Sequence, residues 1–207
     1  MRFTAPVLMV AALLFVFPAG AAFAAKDQCI RDKPCLGSGT DDHLKGTGGA
    51  DKIRARGGRD FVDARGGSDT VFGGRGDDGD DEVPGGLFGD SPRMSANSRH
   101  DGDDTLYGGG GRDTLYGFGG SDLLVGGDGS DYILAGEYRV HIGRPGVANS
   151  KTPGLDVVSA GGGGDHIEAD DQHRDIIDCG DGVDAVWFDE KLDVVSSNCE
   201  RRNFIWS

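Results

Sequence analysis

Aspartates that recur every nine residues are the groups in this sequence best placed to do chemistry. In a frame that starts at Gly37, each unit has Asp at its sixth position and an aliphatic residue at its eighth. The frame is interrupted over 79–98 and over 135–150, and it resumes after each interruption. The candidate ligands are the sixth-position residues Asp42, Asp51, Asp60, Asp69, Asp78, Asp104, Asp113, Asp122, Asp131, Asp156, Asp165 and Asp184.

The residues around each aspartate favour a site made of oxygen atoms. The first six positions of a unit are rich in glycine, which allows positive φ angles and lets backbone carbonyls crowd together in a tight turn. Carboxylates and bare carbonyls suit a hard cation. Ca²⁺ accepts 6–8 oxygen ligands in irregular geometry, whereas Mg²⁺ prefers to keep its waters. The pattern therefore predicts several bound Ca²⁺ ions.

The elements that position these aspartates follow from the last three residues of each unit. Those residues form a short strand with a single side chain that points inward, so one unit cannot make a core. Stacked units can form one, as two thin parallel sheets with the eighth-position residues between them. We therefore expect an all-β fold, a parallel β-roll or β-solenoid, with two loop insertions and a column of aspartates along each flank. Carboxylates stacked about 4.8 Å apart repel unless a cation lies between them.

Composition agrees with order that depends on a cation. The 207 residues include 38 Gly, only 37% are hydrophobic, and the formal net charge is −14. A chain of this kind buries a broad core with difficulty, and its carboxylates repel one another. The negative charge excludes nucleic acid and anionic membrane surfaces as main partners.

The first 24 residues have the features of a secretory signal peptide. Arg2 is followed by an apolar run over 7–17, a break at Pro18, and small residues at 22 and 24. The run is short for a membrane anchor, which is the alternative. We expect cleavage before Ala25, a secreted protein with no membrane insertion after cleavage, and an N-terminal segment over 25–36.

Four cysteines in an exported chain favour disulfide bonds. Three pairings are possible, and the simplest joins Cys29 to Cys35 and Cys179 to Cys199. A zinc site is the alternative, but the sequence has no CxxC and the two pairs lie at opposite ends of the chain.

The units over 108–116, GGGGRDTLY, and over 126–134, GGDGSDYIL, resemble the GGxGxDxUx nonapeptide of RTX, or haemolysin-type, calcium-binding proteins. The resemblance implies a β-roll over 37–196, with each ion between neighbouring turns of the same flank. The sequence DCGDG at 178–182, followed by NCE at 198–200, resembles the end of some bacterial proteins of this type. It implies a disulfide-pinned C-terminal cap over 197–207.

No catalytic motif accompanies the repeats, since HExxH, GxSxG and GxxxxGK[ST] are all absent. We therefore expect a protein with a structural, adhesive or interaction role rather than an enzyme. The alternative is an accessory or enzymatic module that acts on extracellular polysaccharide. His166 and His173, with Glu168, Asp170 and Asp171, could form a minor metal site, although a solvated turn is the simpler interpretation.

The two interruptions carry basic residues on an otherwise acidic chain. Arg93 lies in the first and Arg139 in the second. Successive units of a roll turn on alternate flanks. Because an even number of units separates the two interruptions, both should project from the same flank. They predict a patch for an extracellular polymer or a partner protein, although tolerated surface insertions would have the same composition.

Overall fold

The computed structural model describes residues 29–30, 33–79, 86–90, 102–136 and 154–204. The predicted signal peptide over 1–24, together with Arg93 and Arg139 in the two interruptions, lies outside the described residues.

Within the described residues, every element is a β-strand and the strands form two parallel sheets. The chain alternates between the sheets, so that strands adjacent in one sheet are separated in sequence by a strand of the other. The nine-stranded sheet comprises β1 (Cys35–Leu36), β3 (Lys52–Gly57), β5 (Thr70–Arg75), β7 (Thr105–Gly110), β9 (Leu123–Asp128), β11 (Val157–Gly163), β13 (Ile176–Asp178), β14 (Asp181–Gly182) and β16 (Val194–Val195). The eight-stranded sheet comprises β2 (His43–Lys45), β4 (Phe61–Asp63), β6 (Leu87–Phe88), β8 (Thr114–Tyr116), β10 (Tyr132–Leu134), β12 (His166–Ala169), β15 (Ala185–Phe188) and β17 (Arg201–Phe204).

The core lies between the two sheets and consists mainly of one aliphatic side chain from each repeat strand, with small side chains such as Ala55 and Ala160 beside them. The register pairs these residues directly, for example Leu44 with Val62 and Ile53 with Val71. The eighth-position residues are fully buried or nearly so: Leu44, Ile53, Val62, Val71, Leu106, Leu115, Leu124, Ile133, Val158, Ile167, Ile177 and Val186. Burial of one such side chain stabilises the fold by about 1.5–3 kcal/mol, so each strand that adds one increases the stability of the roll by about that amount. The prediction of an all-β parallel β-roll is confirmed.

The segment 79–98, expected to be an interruption, contributes a strand of its own. Asp80 stands at the eighth position of its unit, but Leu87 takes the inward place seven residues later. Leu87 is 0% exposed and pairs with Val62 on one side and Leu115 on the other. A roll needs one apolar side chain per strand. Because Leu87 supplies it, the eight-stranded sheet continues from β4 through β6 to β8 although the nine-residue frame is interrupted.

Both ends of the roll extend beyond the bounds 37–196 expected from the repeats. β1 precedes Gly37 and pairs with β3, while β17 follows position 197 and pairs with β15. Disulfide bonds join Cys29 to Cys35 and Cys179 to Cys199, which confirms the sequence-local pairing.

Aromatic rings pair along the outer face of the eight-stranded sheet, edge to face for His43 with Phe61 and stacked for Phe88 with Tyr116 and for His166 with Trp187. The ring centroids of His43 and Phe61 are 4.4 Å apart, those of Phe88 and Tyr116 are 4.6 Å apart, and those of His166 and Trp187 are 4.3 Å apart. Such cross-strand ring pairs stabilise neighbouring strands on the face away from the core.

Candidate metal sites

The candidate aspartates form two columns, one along each flank of the roll. Each column residue except Asp78 immediately precedes a strand, so the strand spacing fixes its distance to the next turn. The first column precedes the strands of the eight-stranded sheet and contains Asp42, Asp60, Asp78, Asp113, Asp131, Asp165 and Asp184. The second column precedes the strands of the nine-stranded sheet and contains Asp51, Asp69, Asp104, Asp122, Asp156, Asp175 and Asp193. The twelve candidates from the sequence are all buried, between 0% and 7% exposed.

One oxygen of each carboxylate holds the columns in register. Asp113 Oδ1 accepts a hydrogen bond from the backbone N–H of Asp78 at 2.9 Å, and Asp131 Oδ1 accepts one from Asp113 at 2.9 Å. The same bond links each aspartate to the preceding one along both columns. The first column ends at Glu200, whose Oε2 accepts from the N–H of Asp184 at 3.0 Å.

The other oxygen is buried without a hydrogen bond through most of both columns. These Oδ2 atoms belong to Asp60, Asp69, Asp78, Asp104, Asp113, Asp131, Asp165, Asp175 and Asp184. We call the turns that end at a column aspartate other than Asp42, Asp51 or Asp193 the interior turns. A buried carboxylate oxygen without a partner is costly, because it has lost its water and gained nothing in exchange. None of the described residues donates a hydrogen bond to it, so a proton or a bound cation would have to satisfy it.

Glycine at the first position of an interior turn makes room for this oxygen. A Cβ placed on Gly108 would lie 2.5 Å from Asp113 Oδ2, and one on Gly117 would lie 2.5 Å from Asp122 Oδ2. The carboxylate therefore folds back over the start of its own turn. In the same turn Gly109 and Gly111 have φ angles of 121° and 131°, a left-handed conformation that glycine adopts without strain.

The two N-terminal turns differ from the interior turns because their Oδ2 atoms already have donors. Asp42 Oδ2 accepts hydrogen bonds from the backbone N–H of Ser38 at 2.5 Å and from its hydroxyl at 2.9 Å. Asp51 Oδ2 accepts the equivalent bonds from Thr47 at 2.6 and 2.9 Å. At the other end, Asp193 Oδ2 accepts from the N–H of Asp189 at 2.7 Å. The protein itself thus supplies donors to the Oδ2 atoms of these outermost turns, although Asp42 Oδ1 is buried without a hydrogen bond.

Burial raises the pKa of the interior carboxyl groups, and neighbouring carboxylates raise it further. The pKa of Asp104 rises to about 9, and those of Asp69 and Asp78 rise to about 8. The backbone hydrogen bond to Oδ1 opposes the shift without cancelling it. Without a positive charge nearby, the raised pKa values of Asp69, Asp78 and Asp104 favour the protonated acid at neutral pH.

Asp156, Asp171 and Asp175 form a cluster that the nine-residue frame did not identify as a unit. All three are buried, and a ligand oxygen from each lies within 4.8 Å of those of the other two. Neither Asp171 nor Asp175 falls at the sixth position of the nine-residue frame. The available signal was the ten-residue spacing from Asp165 to Asp175, one residue longer than the repeat.

The histidines do not join a metal-binding group. His166 Nε2 lies 3.1 Å from Glu168 Oε1, and its ring stacks on Trp187. His173 Nδ1 lies 3.4 Å from Asp171 Oδ1. Among the described residues, neither histidine belongs to a cluster of three ligand residues. The simpler interpretation of a surface turn fits these contacts better than a minor metal site.

The donor set of the interior turns fits Ca²⁺. It offers carboxylate oxygens and closely spaced backbone carbonyls. The unpartnered Oδ2 atoms, the glycine that makes room for them, and the raised pKa values are each accounted for by a divalent cation between the turns.

Comparison with protein families supports the same assignment. The model of the RTX calcium-binding nonapeptide repeat matches four copies, over residues 36–71, 45–80 and 100–133. Searches of curated proteins and of solved structures returned no significant match. In the part of the chain that the structure describes, no helix is long and apolar enough to cross a membrane. The segments 36–80 and 100–133 are therefore RTX calcium-binding nonapeptide repeats, and such repeats bind Ca²⁺.

Proposed function

We propose that this is a secreted protein in which Ca²⁺, bound at the interior turns, folds and stabilises a β-roll with a structural, adhesive or interaction role. The observation that carries the proposal is the row of buried, unpartnered Oδ2 atoms in both columns. Ca²⁺ would supply the positive charge that these carboxylates otherwise lack.

The proposed ligands are the column aspartates of the interior turns, with Asp175 added to the candidates from sequence. Asp42 and Asp51 are the weakest candidates, because Ser38 and Thr47 already donate to their Oδ2 atoms. Asp156, Asp171 and Asp175 would provide three carboxylates at one level of the second column. This level should bind Ca²⁺ more tightly than a level with fewer charges, because ligand charge raises affinity.

Metal binding and folding should be coupled. The unfolded chain lacks a preformed site, so the binding free energy appears as folding free energy. Extracellular calcium modules typically bind with dissociation constants of about 10⁻⁴–10⁻³ M. The protein would then fold where calcium is abundant and loosen where it is scarce.

Two features support an extracellular location. The apolar run over 7–17 followed by small residues has the form of a signal peptide. The described cysteines are all paired in disulfide bonds, which persist in oxidising compartments. Sequencing the N-terminus of the exported protein tests this, and Ala25 should be the first residue. An intact Met1 on the exported protein would contradict it.

The interaction role has support from the chain path around the interruptions. The described strands on either side of the first interruption are β6 and β7, and those on either side of the second are β10 and β11. Each interruption therefore joins a strand of the eight-stranded sheet to one of the nine-stranded sheet. Arg93 and Arg139 lie in sequence within these two connections, which supports the proposal of a shared patch for an extracellular polymer or protein.

Circular dichroism during a calcium titration tests the coupling of metal to fold. The chain without its signal peptide, disulfides intact, should gain strand signal as Ca²⁺ is added and lose it in chelator. Asp113→Asn keeps an oxygen for the N–H of Asp78 but removes the charge, so it should raise the calcium midpoint severalfold. Asp128→Asn is the matched control, because Asp128 is exposed. Equal strand signal with and without Ca²⁺, or equal midpoints for the two variants, would contradict the proposal.

A further inference from the structure

The outer face of the nine-stranded sheet is free of carboxylates over much of its length, although the protein is strongly acidic. From β3 to β9, the outward side chains on either side of each core residue are basic, hydroxyl-bearing, aromatic or aliphatic. These residues are Lys52, Arg54, Thr70, Phe72, Thr105, Tyr107, Leu123 and Val125. The acids are instead concentrated in the flanking columns, where they are buried.

Cations gather where this face begins. Lys52, Arg54 and Arg56 alternate along β3 and are all exposed, so they project from the same face about 6.6–6.8 Å apart. Arg75 on β5 is exposed and lies beside Gly57, the residue after Arg56. We call Lys52, Arg54, Arg56 and Arg75 the basic edge.

The basic edge is not neutralised by the protein. Among the described residues, no carboxylate forms an ion pair with any of its four members, whereas Lys45 on the other sheet pairs with Asp63 at 3.7 Å. The exposed Asp41 and Asp77 on the adjoining flank accept backbone N–H bonds from Arg59 and Arg112 instead.

An open groove of about 690 Å³ runs beside two members of the edge. Its lining consists of Arg56 and Arg75 together with Ser38, Gly39, Gly57 and Gly58. The glycines leave backbone exposed, and a Cβ placed on Gly39 would meet nothing within 4 Å. A flexible chain could therefore approach the two guanidinium groups without displacing side chains.

We propose that the basic edge and its groove bind a linear anionic polysaccharide, one that bears carboxylate or sulfate groups. Guanidinium groups recognise both of these anions through paired hydrogen bonds. This proposal depends on the proposed function in one respect: the sheet that carries the basic edge must be folded, and we propose that Ca²⁺ folds it. Calcium in the columns would also reduce the repulsion that a polyanion meets on approach.

The shape of the edge favours a single flexible chain over a membrane or a nucleic acid duplex. It spans only the two strands β3 and β5 and lies next to an acidic flank, so a broad anionic surface would also meet Asp41 and Asp77. Single-stranded nucleic acid is bound largely by stacking of bases on aromatic faces. Phe72 offers little for this, because its ring is stacked on Tyr107 at 4.9 Å and Arg54 lies 5.4 Å from its centroid.

Binding to size-defined heparin and oligogalacturonate, measured by calorimetry in saturating Ca²⁺, tests the proposal. The triple variant Arg54→Gln, Arg56→Gln and Arg75→Gln should bind at least one of these glycans tenfold or more weakly than wild type, with a flatter salt dependence. The matched control removes three exposed charges from the far end of the roll, through Arg174→Gln, Lys191→Gln and Arg201→Gln. It should change affinity less than twofold.

Several outcomes would overturn the proposal. These are no binding of either glycan by the wild type, equal losses in the two triple variants, or tighter binding to oligo-dT or to phosphatidylglycerol vesicles than to the glycans. The calcium-dependent strand signal of each variant, measured in parallel, separates this proposal from the preceding one. A variant that folds normally with calcium but loses glycan binding supports the basic edge.

Discussion

The two oxygens of a column aspartate have different roles. Oδ1 accepts a backbone N–H from the neighbouring turn and sets the register, as in Asp131 and Asp113. Oδ2 is buried over the start of its own turn and has no hydrogen bond at Asp113 or Asp131. The first role requires only an acceptor, whereas the second requires a cation, so loss of charge and loss of register can be separated by substitution.

Glycine at the first position of a turn should be required for calcium binding at that turn. Gly108→Ala would place a methyl group 2.5 Å from Asp113 Oδ2 and 2.6 Å from the carbonyl of Gly126, so the carboxylate would have to move. We expect a several-fold higher calcium midpoint and a loss of about 1–3 kcal/mol in the free energy of unfolding with Ca²⁺ bound. Both are measured by denaturant titration at fixed calcium.

Gly110→Ala is the control for this prediction, since a Cβ there meets nothing within 4 Å. It should leave the calcium midpoint unchanged. A similar loss in both variants would show that the turn needs glycine for backbone freedom alone and would contradict the steric argument.

The calcium-free roll should become more stable as the pH falls. The pKa values of Asp69, Asp78 and Asp104 in the folded chain, about 8 to 9, exceed the ordinary value of 3.8. A raised folded-state pKa stabilises the fold fully below the unfolded pKa, and that stability is lost as the pH rises through the folded pKa. In chelator, the strand signal by circular dichroism should therefore increase between pH 9 and pH 6.

With calcium present we expect the roll to become less stable as the pH falls, because protons compete with Ca²⁺ for the same carboxylates. Asp104→Asn should reduce the pH dependence in chelator more than Asp128→Asn does, since Asp128 is exposed. Equal pH dependence in the two variants would mean that overall charge, rather than the buried columns, governs stability.

The sequence predicted twelve of the fourteen aspartates that line the columns, but not Asp175 and Asp193, nor how each turn is satisfied. The nine-residue spacing was enough to place Asp60 and Asp113, because stacking brings every sixth position to a flank. The donors from Ser38 and Thr47 depend on side-chain rotation within a turn, which spacing does not encode. The turn that contains Asp171 is one residue longer than the repeat. A strictly periodic pattern therefore does not show that Asp171 lies beside Asp156 and Asp175.

At the scale of the strand, the roll needs one inward aliphatic residue and a turn that returns the chain to the other sheet. This explains why β6 was not predicted. The aspartate at position 80 ended the pattern, yet the requirement was met by Leu87 after a detour of seven residues. Short strands tolerate such detours because the backbone bonds to the neighbouring strands restore the register.

Leu87→Ala tests whether β6 belongs to the core. Leu87 is 0% exposed, and removal of a buried leucine side chain typically costs about 2–5 kcal/mol. We expect a loss of this size in the free energy of unfolding with calcium bound, measured by chemical denaturation. Leu192→Ala is the control, because Leu192 is 43% exposed and should lose less than about 1 kcal/mol. Equal losses would contradict a core role for β6.

At the scale of the whole molecule, a roll exposes a strand at each end, and the chain pins both ends covalently. The disulfides close loops with sequence separations of 6 and 20 residues. Between them, the interior turns are the ones we propose to depend on calcium, whereas the Oδ2 atoms of the outermost turns have donors within the protein. We therefore expect the disulfide-bonded ends of the roll to remain ordered at low calcium concentrations at which the interior turns lose their order.

Removal of the C-terminal disulfide should destabilise the roll locally. Cys179→Ala with Cys199→Ala opens the longer loop and should cost about 3 kcal/mol in the chain-entropy account. Hydrogen exchange with calcium bound should accelerate in β15 and β17, while β3 and β5 stay protected. The pair Cys29→Ala and Cys35→Ala opens the shorter loop and should cost less. Uniform acceleration throughout the roll would contradict a local pin.

The placement of calcium is tested most directly by anomalous difference density from crystals grown in calcium, recorded at a wavelength where Ca²⁺ scatters anomalously. The account predicts peaks in both columns beside the Oδ2 atoms of the interior turns, such as those of Asp78, Asp113 and Asp104. It predicts weak density or none where Ser38 and Thr47 donate to Asp42 and Asp51. Interior turns without peaks, in crystals that contain ordered calcium elsewhere, would contradict it.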